Sequence, residues 1–247
     1  MFLSSQLLAV SEKTTDIVTW ISIGAIALLI VILAVMCLFG KKFSTNEIAF
    51  AGICIAASVA LSFIKVSPVQ YGGSITLARM VPPLIYAYKF GPIKGTLAGI
   101  VVGLFDFITN PYILTPMTFV LDYVLAFASI GLMGFAPKFG KLPVTAKVVL
   151  GTVLVYAARF TFHLISGFIY FAQDSIWVDL PTPNMFVYSF IYQCVYLPAD
   201  CVIAAGAMYA LAKTKALDKL FAIMDKNNKQ KPTAEPDAAE NQPAENN

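Results

Sequence analysis

Apolar residues run along this chain in long blocks separated by short polar breaks, and neither strand-like alternation nor the single stripe of a soluble amphipathic helix dominates. Seven blocks, 17–39, 47–65, 74–90, 92–108, 117–135, 145–172 and 184–212, are read as helices crossing a membrane. The yardstick is a hydrocarbon layer of roughly 30 Å and a helical rise of about 1.5 Å per residue. The breaks carry turn chemistry. KFGPIKG separates the third and fourth blocks, with Pro92 placed to open a helix, PKFGKLP the fifth and sixth, and DLPTPN the sixth and seventh. The expected fold class is all-α, a polytopic membrane helix bundle.

Composition agrees with this pattern. Hydrophobic residues make up 58% of the chain and charged residues 13%, about half the share of a soluble domain; mean hydropathy is +0.76. A net charge of +3 with lysines confined to short loops and the C-terminal stretch leaves no basic face for nucleic acid. The four cysteines, Cys37, Cys54, Cys194 and Cys201, sit in apolar runs without metal-ligand spacing, so they read as small core-type residues. No metal or cofactor is expected.

Loop charge sets the expected orientation. Lys41 and Lys42, Lys89 and Lys94, Lys138, Lys141 and Lys147, and the cluster from Lys213 fall after every second crossing, while the alternate loops hold Lys65, Arg79, Asp174 and Asp179. Lysine and arginine near span ends stay on the cytoplasmic side, which places the N-terminus outside and the C-terminus inside a cell membrane. Residues 1–16 are read as a short extracellular N-terminus. Segment 17–40 reads as a retained anchor helix, because its flank is acidic, its apolar run is long and no A-x-A site follows. Beyond 212, an amphipathic piece with Leu217, Leu220, Phe221 and Met224 leads into a Pro/Ala/Glu/Asn-rich stretch, so 213–247 is expected to be a polar, disordered cytoplasmic tail.

Five ionisable residues cannot be assigned to loops: Asp106, Asp122, Arg159, His163 and Asp200. A charge at the centre of a membrane helix costs roughly 2.5–3.5 kcal/mol on insertion scales, which a partner, a water-filled cavity or a ligand must offset. Arg159, His163, Gly167 and Phe171 recur every four residues and share one helix face. That face carries a cation, an imidazole, a recess and a ring. Arg159 and Asp200 are expected to form a structural ion pair closing a cavity floor; His163 either lines a ligand cavity or binds a neighbouring carbonyl. Tyr71, Tyr112, Tyr123, Phe171, Tyr188 and Tyr192 lie near the outer helix ends, as interfacial anchors or as cavity lining. Aromatic faces beside a carboxylate suit a small, flat, cationic heteroaromatic ligand.

Three blocks, FVLDYVLAFASIGLMG (119–134), ARFTFHLISGFIYF (158–171) and YSFIYQCVYLP (188–198), resemble the thiamine-specific substrate-binding subunit, or S component, of energy-coupling factor transporters, over about 45–212. The resemblance implies a six-helix core with a vitamin site near the outer face, no catalytic step in this subunit, and helix 17–39 as an addition to the six. It carries ligand-binding roles onto Tyr112, Asp122, Tyr123, His163, Gly167, Phe171, Tyr188 and Gln193. Asp122, Phe171 and Gln193 stand where family members can have Glu, Trp and Asn, changes that keep chemical type while altering reach.

The chain has no G-x-x-x-x-G-K-[ST] nucleotide loop, so ATP would be hydrolysed elsewhere. The resemblance implies a transmembrane coupling subunit and two ATPase subunits as partners. Gly52, Ala56 and Ala60 form a small-residue stripe in the second block, which either packs inside the bundle or receives a partner helix. Other open readings are an S component for a different flat vitamin or a thiamine precursor, and a stand-alone proton-coupled carrier relaying charge through Asp106, Arg159 and Asp200. Neither HExxH nor GxSxG is present to suggest an intramembrane enzyme.

Overall fold

A computed structural model describes residues 24, 43–66, 73–111, 116–167 and 184–229, without the side chains of 185 and 226–229. Segment 17–39 apart from Gly24, residues 67–72 with Tyr71, Tyr112, Phe171, Asp174, Asp179 and residues 230–247 lie outside the described residues. The described chain runs α1 (Thr45–Ser62), β1 (Lys65–Val66), β2 (Ile75–Thr76), α2 (Val81–Phe90), α3 (Pro92–Thr109), α4 (Pro116–Lys138), α5 (Val144–Ser166), α6 (Met185–Lys213) and α7 (Ala216–Lys229). Five of these helices, α1, α3, α4, α5 and α6, are long and apolar enough to cross a membrane. The outward positions suit lipid: Ile53, Ile108 and Val202 are each more than 60% exposed, and only helices or closed barrels can hold such apolar side chains out to hydrocarbon with every backbone group paired.

The third apolar block departs from a continuous span. Residues 75–76 pair with 65–66 as a short antiparallel ribbon, Lys65 opposite Thr76 and Val66 opposite Ile75. Ala78 then turns with a left-handed φ of 56°. Helix begins only at Val81, where Pro82 and Pro83 favour a helix start over its interior. The ten residues of α2 reach about 15 Å at the α-helical rise, half a hydrocarbon thickness. Arg79, expected in an outer loop, is instead buried at the ribbon–helix junction.

The core joins α2, α4, α5 and α6 through Met80, Leu84, Phe127, Ile130, Met133, Val148, Val155 and Leu197. Helix α3 packs closely on α4 because it presents glycines there. A Cβ on Gly99 would collide with the Phe127 carbonyl, and one on Gly103 with that of Tyr123. Spaced four residues apart, these glycines let two backbones touch, as small residues do between helices in lipid.

Helix α4 is not regular. Over Val120–Leu125 it opens into a π turn, with the Ala126 N–H bonded to the Leu121 carbonyl five residues back, and it tightens to 3-10 geometry over Ser129–Lys138. Single π turns within α-helices concentrate at functional sites, and this one carries Asp122 and Tyr123. At the opposite end of the bundle, Lys94 meets Glu47 at 2.5 Å, Lys89 meets Asp225 on α7 at 2.8 Å, and Lys147 donates to the Pro137 carbonyl. Helix α7 seats Leu217 and Met224 inward and stacks Phe221 on Tyr88.

Candidate functional site

Where the α3 C-terminus, the π turn of α4, the α5 C-terminus and the first half of α6 converge, they enclose a cavity of about 100 Å³. Six of the eight predicted ligand residues line it: Asp122, Tyr123, His163, Gly167, Tyr188 and Gln193. The other two, Tyr112 and Phe171, lie outside the described residues. All five buried ionisable residues singled out in the sequence also face this space, joined by Arg79.

Asp122 is at the centre of the polar wall. Its Oδ1 lies 2.7 Å from His163 Nδ1, and its Oδ2 accepts a 2.6 Å hydrogen bond from the Ser166 hydroxyl. An ionised carboxylate only accepts, so the His163 tautomer facing it carries its proton on Nδ1. His163 Nε2 has no hydrogen-bond partner among the described residues. A buried polar atom left unpaired carries a desolvation cost, and in a cavity wall it is a place for a ligand or water to bond.

Gln193 crosses between α5 and α6. Its amide donates to the His163 carbonyl at 3.3 Å, and its carbonyl accepts from the Tyr196 hydroxyl at 2.6 Å. One amide hydrogen then remains for a ligand. Gly167 permits this contact between helices, because a side chain there would strike the Ser189 hydroxyl. Ser189 in turn donates to the Leu164 carbonyl at 3.1 Å. Tyr123 sends its hydroxyl to the Asn110 carbonyl at 2.7 Å, so its ring rather than its hydroxyl is offered to a ligand. Phe107 meets that ring edge-on.

The expected Arg159–Asp200 ion pair is not formed. Asp200 is occupied by the Thr76 amide at 2.9 Å, the Thr76 hydroxyl at 2.8 Å and the Tyr156 hydroxyl at 2.7 Å. These bonds fasten β2 to α6 and α5. Arg159 instead lays its guanidinium 4.5 Å above the Phe127 ring, with Nε and Nη1 unpaired among the described residues. The ion pair lining the cavity is instead Arg79 with Asp106, two contacts of 2.5 and 3.3 Å. Spacing could not reveal this exchange, since Arg79 lies in a block whose interruption by a ribbon has no marker stronger than Pro82 and Pro83.

Ser166, Tyr196 and the glycines of α3 were also missed from sequence. Gly95, Gly99 and Gly103, four apart, were a legible signal for close helix approach. Ser166 carried none beyond standing three residues after His163 on the same helix.

A bundle of membrane-crossing helices, with one polar, aromatic-walled cavity built at an end among its described residues, defines a multi-pass membrane protein that binds a small molecule. The chain belongs to the thiamine transporter protein (Thia_YuaJ) family, whose model matches residues 48–220. It is 30% identical over 177 residues to the thiamine transporter ThiT of Bacillus subtilis (strain 168), covering 66% of this chain and 88% of that protein. The fold is similar to that of the solved ThiT from Listeria monocytogenes, with a TM-score of 0.58 and 21% identity over 71% of this chain and 96% of that one.

Proposed function

We propose that this protein is the substrate-binding subunit of an ATP-driven vitamin transporter, taking thiamine from outside the cell into the cavity beside Asp122. The observation that carries the reading is the Asp122–His163 pair in the wall of a cavity, backed by Ser166 behind it, within a chain of the thiamine transporter family. The carboxylate accepts a hydrogen bond from the exocyclic amine of the aminopyrimidine, and the spare amide hydrogen of Gln193 meets a ring nitrogen. The thiazolium cation rests against the Tyr123 and Tyr188 rings, which attract positive charge. Tyr112 and Phe171 complete the aromatic lining in this proposal. The lysine-rich end lies in the cytoplasm by the positive-inside rule, so the cavity opens outward.

Delivery requires partners, a transmembrane coupling subunit and two ATPases. The α1 stripe supports a docking role: Gly52, Ala56 and Ala60 all face out of the bundle, and no atom of the described residues lies within 4 Å of where a Gly52 side chain would stand. Packing among the described residues therefore does not explain the stripe. A stand-alone proton relay finds less support, because Asp106 is held by Arg79 and Asp200 by Thr76 and Tyr156.

Mass spectrometry of small molecules released from the purified, washed protein tests ligand identity. Thiamine should be recovered, and added isotope-labelled thiamine should displace it while riboflavin should not. Recovery of a different vitamin that thiamine fails to displace would refute the assignment.

A further inference from the structure

We propose that Ser166 is a positioning residue for ligand recognition: its hydroxyl fixes the rotation of the Asp122 carboxylate, aiming the remaining lone pairs at the amino group of an aminopyrimidine. The inference rests on the thiamine reading above and assigns the means of its selectivity. A carboxylate turns easily about its terminal torsion, which has a broad, two-fold profile. One hydrogen bond, from His163 to Oδ1, leaves that rotation hinged; a second, from Ser166 to Oδ2, closes it. Both donors stand on the last turn of α5, three residues apart, so they act as one rigid fork against the π turn of α4.

Ser166 is wholly buried and is absent from the cavity wall, so it reaches a ligand only through Asp122. Its choice of partner is also particular. Buried hydroxyls within helices commonly turn back to a carbonyl of the preceding turn, as Ser62 does to Val59, Ser129 to Ala126 and Thr152 to Val148. Ser166 donates across to another helix instead. With two of roughly four carboxylate acceptor sites taken by the protein, the sites left to a ligand have one fixed direction.

The test measures equilibrium affinity of the full-length purified protein, wild type and Ser166→Ala, for thiamine and for a thiamine analogue lacking the pyrimidine amino group. Ser166→Ala should weaken thiamine binding roughly tenfold, the scale of a hydrogen bond to a charged group. Analogue binding should change less than about threefold, since the analogue does not use the aimed oxygen. Melting of the ligand-free protein reports folding; if the alanine variant does not fold, Ser166→Cys, similar in size and a weak donor, carries the same comparison. Equal losses for both ligands, or no loss for thiamine, would overturn the inference. A wild-type protein that binds neither ligand would instead refute the thiamine reading, and the inference with it.

Discussion

At the residue scale, each charge within the bundle is answered differently, and the differences predict different consequences. His163 touches Asp122 through one nitrogen while the other is unpaired among the described residues. Replacing it with alanine should weaken thiamine binding at least tenfold, with little change in the ligand-free melting temperature, as titration and thermal unfolding in detergent would report. Asp106→Ala should behave in the opposite way. It strands the buried Arg79 guanidinium, and breaking such a pair costs about 3–5 kcal/mol, so the yield of monodisperse protein on size-exclusion chromatography should fall before affinity does. The sequence made Asp122, His163 and Gly167 legible because each is anomalous where it stands: a charge, an imidazole and a missing side chain in apolar helix. It misdirected the pairing of Arg159, because opposite charge in two helices says nothing about rotation. Tyr156 and Thr76, whose hydroxyls satisfy Asp200, look ordinary in their segments.

At the element scale, the spans and their breaks were largely readable, with observed ends within a few residues of the expected ones for α1, α3, α4 and α6. The block at 74–90 was not, because apolarity alone cannot distinguish a spanning helix from a ribbon and a short, largely buried helix. The π turn in α4 was equally invisible: Val120–Leu125 contains neither glycine nor proline to mark it. That turn depends on close support from α3. Gly103→Ala should force α3 and α4 apart, and the folded fraction after extraction should drop well below that of the exposed control Gly52→Ala, where the added methyl meets none of the described residues. Helix α1 has two faces of unlike purpose, Cys54, Ser58 and Ser62 inward and Gly52, Ala56 and Ala60 outward. Enlarging the outer face with Ala56→Leu should leave thiamine affinity of the isolated protein unchanged. In membranes containing the coupling subunit and ATPases, the same variant should lower ATP-dependent thiamine uptake severalfold.

At the scale of the whole molecule, the bundle is polarised: lysines and their partners tie one end together, and a cavity rich in charge and aromatic rings opens the other. The apolar exterior between them is solvated by lipid. Such an object can hold a small cation, and its sequence has no nucleotide loop; in the function proposed above, capture and energy supply are divided between separate chains. The claim on which this division rests is that the cavity recognises thiamine through Asp122. An equilibrium titration of thiamine against purified wild-type and Asp122→Asn protein tests it most directly. Saturable one-to-one binding below micromolar concentration by the wild type, weakened at least tenfold by the neutral isostere, is the predicted result. Wild-type protein that fails to saturate at micromolar thiamine, or an Asp122→Asn protein that binds as tightly as wild type, would contradict it.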